Sequence, residues 1–185
     1  MSSREVSIND FGLVIAYLLP GLLALWGTTY LTDTLRPWFG SPPTNMPTIG
    51  GFLYVTLASI AAGMTVSTVR WLLLDTFHHR TGIPPPRSDF AHLKESVAAF
   101  GVLVDIHYRY YQWNANSLIA LVFVYFARRW SQGIWSMPVG WTDLGFLLLA
   151  LVLFLGSRDS LAKYYLRTGQ LLQERRSRAA MGEPH

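Results

Sequence analysis

There is no cysteine anywhere in this 185-residue chain. Disulfides, thiolate nucleophiles and cysteine-ligated zinc or iron–sulfur centres are therefore excluded. Charge is scarce too. Asp, Glu, Lys and Arg together make up 14% of the residues, where an ordinary soluble domain carries about a quarter. Acidic side chains are the rarer sign, 11 against 15 basic ones. The signatures of common catalytic sites are missing: there is no HExxH, GxSxG, P-loop or GxGxxG. Internal repeats and low-complexity tracts are absent as well.

What the chain has instead is long apolar runs. They cover roughly 11–31, 51–74, 110–127 and 141–156. A helix needs about 20 apolar residues to cross a bilayer core. The first two runs meet that length and the last two come close. Half of the chain is hydrophobic and its mean hydropathy is +0.26. Of seven Trp, nine Tyr and ten Phe, several sit at the ends of the runs, where membrane aromatic belts form. No small-residue cleavage site ends the first run, so it reads as a retained span rather than a signal peptide.

The expected fold class is all-α. The chain should be a polytopic membrane protein, a four-transmembrane-helix bundle filling one membrane domain over 1–185. A cytoplasmic amphipathic helix would lie between spans 2 and 3, inside a loop at 77–109. A basic helical tail would follow at 157–185. With four crossings, one side of the membrane carries twelve basic residues, Arg4, Arg70, Arg80, Arg87, Lys94, Arg109, Arg158, Lys163, Arg167, Arg175, Arg176 and Arg178. The other side has three, Arg36, Arg128 and Arg129. Basic residues stay cytoplasmic, so both termini are expected inside, and the expected location is a bacterial inner membrane. The net charge of +4 is then read as a topology and lipid signal, not a nucleic-acid footprint.

Individual residues carry further expectations. Pro20–Gly21 should kink the first span, because proline removes a helical hydrogen bond. Thr32–Gly50, rich in Pro and Gly, should connect without regular structure. Ser59, Gly63 and Ser67 recur every four residues, with Ala58 and Ala62 beside them, and form a small-residue face for close helix packing. Asn114 and Asn116 would sit inside the hydrocarbon, where amides need partners and must face the bundle. Arg70, Arg80, Arg87, Arg109, Arg175, Arg176 and Arg178 are the candidates for docking lipid or a partner. Arg70 in particular should snorkel to headgroup phosphate.

Thr81-Gly82-Ile83 and the prolines at 84–86 should turn the chain away after the second span. The second span should itself continue as an amphipathic helix toward Thr76. The amphipathic helix beyond the prolines carries Leu93, Val97, Phe100, Val104 and Tyr108 at helical spacing, and should run along the membrane face and feed into the third span. Asp105 and Arg109 should pair at i,i+4. Asp75, His78, His79, His92, Glu95, Asp105 and His107 form a polar cluster with the residue types of metal or acid–base sites. Their spacing matches no known motif, and interfacial histidines bonded to headgroups or backbone are the simpler account.

Function is less legible. The leading expectation is a non-enzymatic component that oligomerises, or docks a cytoplasmic protein through residues 77–111 and the basic tail, to sense or relay a membrane event. The alternative is a homo-oligomeric pore or permeabilising effector of the toxin or anti-phage type. Thr56, Ser59, Thr65, Ser67 and Thr68 would line it with the two asparagines. A membrane enzyme using the loop His and Asp residues is third. No cofactor is expected. The partners would be anionic lipid, further copies of the chain or a cytoplasmic protein.

Overall fold

The structure, a computed structural model, describes residues 14–40, 49–85, 97–133 and 138–180. Every regular element among them is helical. A π-helical turn, Val14–Leu18, runs into α1, Leu19–Thr28. A short helix α2 follows at Arg36–Gly40. Helix α3, Ile49–Arg70, passes through a second π turn, Trp71–Asp75, into α4, Thr76–Arg80. Helix α5, Val97–Leu103, passes through a third, Val104–Tyr108, into α6, Arg109–Ser131. Helix α7 is a single 40-residue rod, Trp141–Ala180, about 60 Å long at 1.5 Å per residue.

Side-chain pairs fix how the rods run. Gly21 faces Ser59 and Gly63, and Tyr17 faces Gly63, so α1 and α3 are antiparallel. Ala16 meets Asn116 and Gly27 meets Val124, so α1 and α6 run the same way. Tyr108 meets Tyr164 and Tyr125 meets Phe146, so α6 and α7 are antiparallel. The core lies between these rods. Tyr111, Ala115, Leu118 and Leu121 pack with Leu153 and Leu161, and Ala24, Val66 and Ala120 form a second cluster.

Two helices are long and apolar enough to cross a membrane, Gly50–Arg80 and Trp141–Gln173. Only 17% of the most apolar window of each is buried in the fold. A core helix of a soluble protein would be mostly buried. The other two of the four expected spans do not pass the same test. The apolar part of α1 is short, Ala16–Thr28. Helix α6 carries Gln112, Asn114, Asn116 and Ser117, which are buried or half-buried among its neighbours.

One local expectation needs correction. The 32–50 connector is not wholly irregular. It contains α2, which Pro37 can enter because a first-turn residue needs no N–H. Arg36 also pairs with Asp33 at 3.1 Å. The helix before the third apolar run does feed into that run. From Val97 it continues through its π turn into α6, and it packs against α7. Its earlier part, with Leu93, lies outside the described residues. The tail is a helical extension: α7 carries on through Ser157 without interruption.

The end of α4 is locally determined. Gly82 has φ +99, the left-handed conformation that glycine adopts without steric cost. Ile83 then donates its N–H to the His78 carbonyl at 3.1 Å, closing a Schellman motif. Arg158 of α7 donates to the Thr81 carbonyl and hydroxyl, both at 2.8 Å. It thereby ties that helix end to α7.

Candidate functional site: a buried polar seam

Polar side chains line the interior where α1, α3–α4, α6 and α7 meet, and the seam starts from proline chemistry. Pro20 has no N–H to give to the carbonyl four residues back, that of Ala16. Asn116 Nδ2 donates to that carbonyl instead, at 2.7 Å and with the asparagine fully buried. The expected kink residue thus does not break the middle of a helix. Pro20 sits in the first turn of α1, directly after the π turn. One turn from Asn116, Gln112 donates to the Tyr17 hydroxyl at 3.1 Å.

Beside this link the small residues bring two backbones together. A Cβ on Gly21 would fall inside the Ser59 carbonyl and 2.7 Å from the Gly63 nitrogen. A Cβ on Gly63 would fall inside the Tyr17 carbonyl. Ser59 is fully buried, and its hydroxyl donates to its own helix, to Val55 O at 2.7 Å. Ala62 packs with the second core cluster, Ala58 is half-buried, and Ser67 lies half-buried at the edge of a cavity. Asn114 packs on Gly156 of α7.

Toward the other end lies a charged triplet. Asp75, delivered by the second π turn, accepts a short hydrogen bond from the Tyr111 hydroxyl. Arg70 Nε stands 3.7 Å from the same carboxylate, and the guanidinium lies over the Tyr111 ring, 5.2 Å from its centroid. Arg70 was expected to snorkel outward; its side chain is 5% exposed. The reason is geometric: the π turn after Arg70 and the ring of Tyr111 hold it inward against Asp75. Its Nε and Nη1 have no hydrogen-bond acceptor among the described residues. Arg70 is also one of six residues that line a cavity of about 330 Å³, with Tyr17, Met64, Ser67, Thr68 and Trp71.

The histidines do not gather into one site. His78 is fully buried, and its Nε2 lies 3.1 Å from Ser157 Oγ. The Ser157 hydroxyl donates to Phe154 O, so the imidazole N–H donates to Ser157. Ser157 is fully buried, with its proton committed to Phe154 O. His79 bonds and stacks with Tyr165, at 3.1 Å between Nε2 and the hydroxyl. His107 Nε2 accepts from Arg167 at 2.6 Å. Burial, with the Arg167 and Lys163 cations, holds this imidazole below the usual histidine range. Asp105 pairs with Arg109 at 2.9 Å, so Arg109 is turned to its own helix rather than outward.

These bonds correct the reading of interfacial histidines. Each of the three finds a side chain on α7, and they are spread along that helix. No group of three or more His, Asp or Glu able to hold a metal occurs among the described residues. Arg80 is exposed at the end of α4. Arg87, His92 and Glu95 lie outside the described residues, as do the side chains of Arg175, Arg176 and Arg178.

At the opposite end Arg129 reaches Asp143 at 2.8 Å, closing the connection from α6 to α7. The Asp143 carboxylate also accepts from the Gly140 N–H at 2.8 Å. Several seam residues were not singled out from the sequence: Tyr17, Tyr111, Ser157, Arg158 and Tyr165. One signal did point to a partner. A proline inside an apolar helix leaves a carbonyl needing a donor, and Asn116 is the amide that supplies it. Comparison with known proteins finds no matching family model, no matching curated protein and no matching solved structure.

Proposed function

We propose that this chain is a non-enzymatic membrane component with four membrane-crossing segments and both termini on the cytoplasmic side. It holds an acidic cytoplasmic protein at the helical extension formed by α5 and the later half of α7. The observation that carries this reading is the way the extension is braced. Arg158 grips the end of α4, Tyr108 stacks near Tyr164, and Arg167 bonds His107. A length of α7 beyond the apolar run is therefore held in a fixed orientation to the bundle. On that extension Val97, Val102, Ile106 and Leu166 are exposed apolar side chains. The sequence of α7 ends in Arg175, Arg176 and Arg178, whose charge suits an acidic partner.

A homo-oligomeric pore has weaker support. The Ser59–Gly63 face that a ring of copies would need is occupied by α1 of the same chain. The hydroxyls of Thr56, Thr65 and Thr68 donate to their own helix backbone, as packing threonines in apolar helices do. The polar cluster gives the enzyme reading little support, since the described histidines are each taken up by α7.

The test is co-purification from detergent-solubilised native membranes. Wild-type protein is compared with the triple charge reversal R175E/R176E/R178E. A soluble acidic protein held by the wild type and lost from the variant is the expected result. Ion flux through liposomes carrying the purified protein, with no co-purifying partner, would overturn the reading in favour of the pore.

A further inference from the structure

We infer that the cavity at Arg70 is a binding site for the phosphate headgroup of an anionic lipid, entered from the side of the bundle between the start of α1 and the end of α3. The inference rests on the membrane location proposed above and names a ligand for the seam. The cavity, about 330 Å³, is open, and its rim is apolar where Met64 and Trp71 stand exposed. Those side chains suit acyl chains and the headgroup boundary. Tyr17, Ser67, Thr68 and Arg70 give the lining its polar groups, and Arg70 is the one charged residue among the six. Asp75 is not in the wall; it lies behind, between Arg70 and the Tyr111 hydroxyl.

The second observation is the guanidinium itself. Its side chain is nineteen-twentieths buried, yet Nε and Nη1 find no acceptor among the described residues. A guanidinium carries five N–H donors arranged to grip an oxyanion from one edge, and phosphate is one of the two oxyanions, with carboxylate, whose geometry it matches. Tyr17 can add a donor, because its oxygen already accepts from Gln112 and leaves its own O–H proton to give. Thr68 donates to Met64 O, so it offers the ligand only lone pairs. The set therefore recognises a phosphate oxygen through Arg70 and Tyr17.

Lipid and free phosphate share this chemistry, and the test separates them. Detergent-purified protein is loaded with phosphatidylglycerol or with phosphatidylcholine, and lipid retained under activation is counted by native mass spectrometry. A parallel arm adds inorganic phosphate to the phosphatidylglycerol-loaded protein. Wild type should retain one phosphatidylglycerol molecule beyond the phosphatidylcholine level, and inorganic phosphate should not displace it. Arg70→Gln should lose that molecule. Because this variant also breaks the Asp75 pair, Ser67→Leu is the second probe: it fills the cavity and leaves Arg70 in place. It too should lose the molecule, with its thermal melt in phosphatidylcholine within about 2 °C of wild type. Arg36→Gln, at an exposed site, controls for general attraction to negative lipid and should retain it. Equal retention of the two lipids by wild type, or full retention by Ser67→Leu, overturns the inference. Displacement by inorganic phosphate alone also overturns it, by reassigning the site to a free oxyanion.

Discussion

Replacing Asn116 by Leu should cost about as much as leaving a buried carbonyl unpaired, about 1–3 kcal/mol. The size follows from the local geometry. Asn116 is fully buried and gives its amide to Ala16 O at 2.7 Å. The residue that would ordinarily bond that carbonyl is Pro20, which has no N–H. Leucine keeps the heavy-atom count and the branching and removes the donor, and the cycle below separates the hydrogen-bond loss from any cost of leucine's larger methyl groups. Asn116 Oδ1 has no partner among the described residues, and removing it recovers part of its desolvation cost, which places the net loss in the lower half of the range. A double-mutant cycle isolates the term. Pro20→Ala supplies an N–H four residues along from Ala16. In that background Asn116→Leu should cost less, by a coupling of about 1 kcal/mol or more. The assay is equilibrium unfolding of the four proteins in mixed micelles, followed by far-UV circular dichroism. Equal costs of Asn116→Leu in both backgrounds would refute the reasoning, since the asparagine would then not be answering the proline.

Two further outcomes are expected. Gly21→Ala should destabilise by about 1–3 kcal/mol or more, because the added Cβ meets backbone atoms that cannot swing aside. Gly145→Ala on α7 has nothing within 4 Å of its new Cβ and should stabilise by about 0.5–1 kcal/mol; the same sign for both in thermal melts sinks the packing argument. His107 titrates below its free value of 6.5 in the folded chain, so near neutral pH it is uncharged whether folded or not. As pH falls below that value the unfolded chain takes up the proton first, and stability drops until the folded pKa is passed. His107→Gln removes this term, so its fall in Tm from about pH 8 to about pH 5 should be smaller than that of wild type; an identical fall in both proteins refutes the assignment.

The apolar runs, and with them the helices, could be read from the sequence because twenty or so apolar residues leave the backbone few other ways to bond itself. Small residues at Ser59 and Gly63 were legible for a related reason. In an apolar solvent only close approach rewards helix pairing, and only small side chains permit it. Their partner, Gly21, was not legible as such, since one glycine next to a proline first suggests a kink. Continuity was legible in part, since the second run was expected to carry on as helix toward Thr76 and the next helix to feed into the third run. What was not legible is that each junction, Trp71–Asp75 and Val104–Tyr108, is a π turn, which has no composition of its own. The inward turn of Arg70 follows from that same feature, and so does the burial of His78 on Ser157, eight residues further along. Spacing alone also could not sort the histidines, because each is claimed by a residue on α7, far away in sequence.

The π turns account for why the polar seam lies where it does. A π turn inserts one residue into a helical turn and rotates everything after it relative to what came before. Val14–Leu18 presents Tyr17 to Gln112 and to Gly63. Trp71–Asp75 brings Asp75 under Tyr111 and Arg70. Val104–Tyr108 places His107 and Tyr108 against Arg167 and Tyr164. Three helices therefore each depart from the α register beside a polar contact with a neighbour. Packing alone would let apolar rods slide or rotate, because lipid tails are as apolar as leucine. A buried amide answering one particular carbonyl, and a carboxylate shared by one arginine and one tyrosine, do not tolerate such a slip. Shifting α6 by a turn would leave the Ala16 carbonyl and the Tyr111 hydroxyl unpaired together, and Asp75 with Arg70 alone. The seam is thus what selects one arrangement of these helices, and the cavity at Arg70 is the place where its donors are left over for something else.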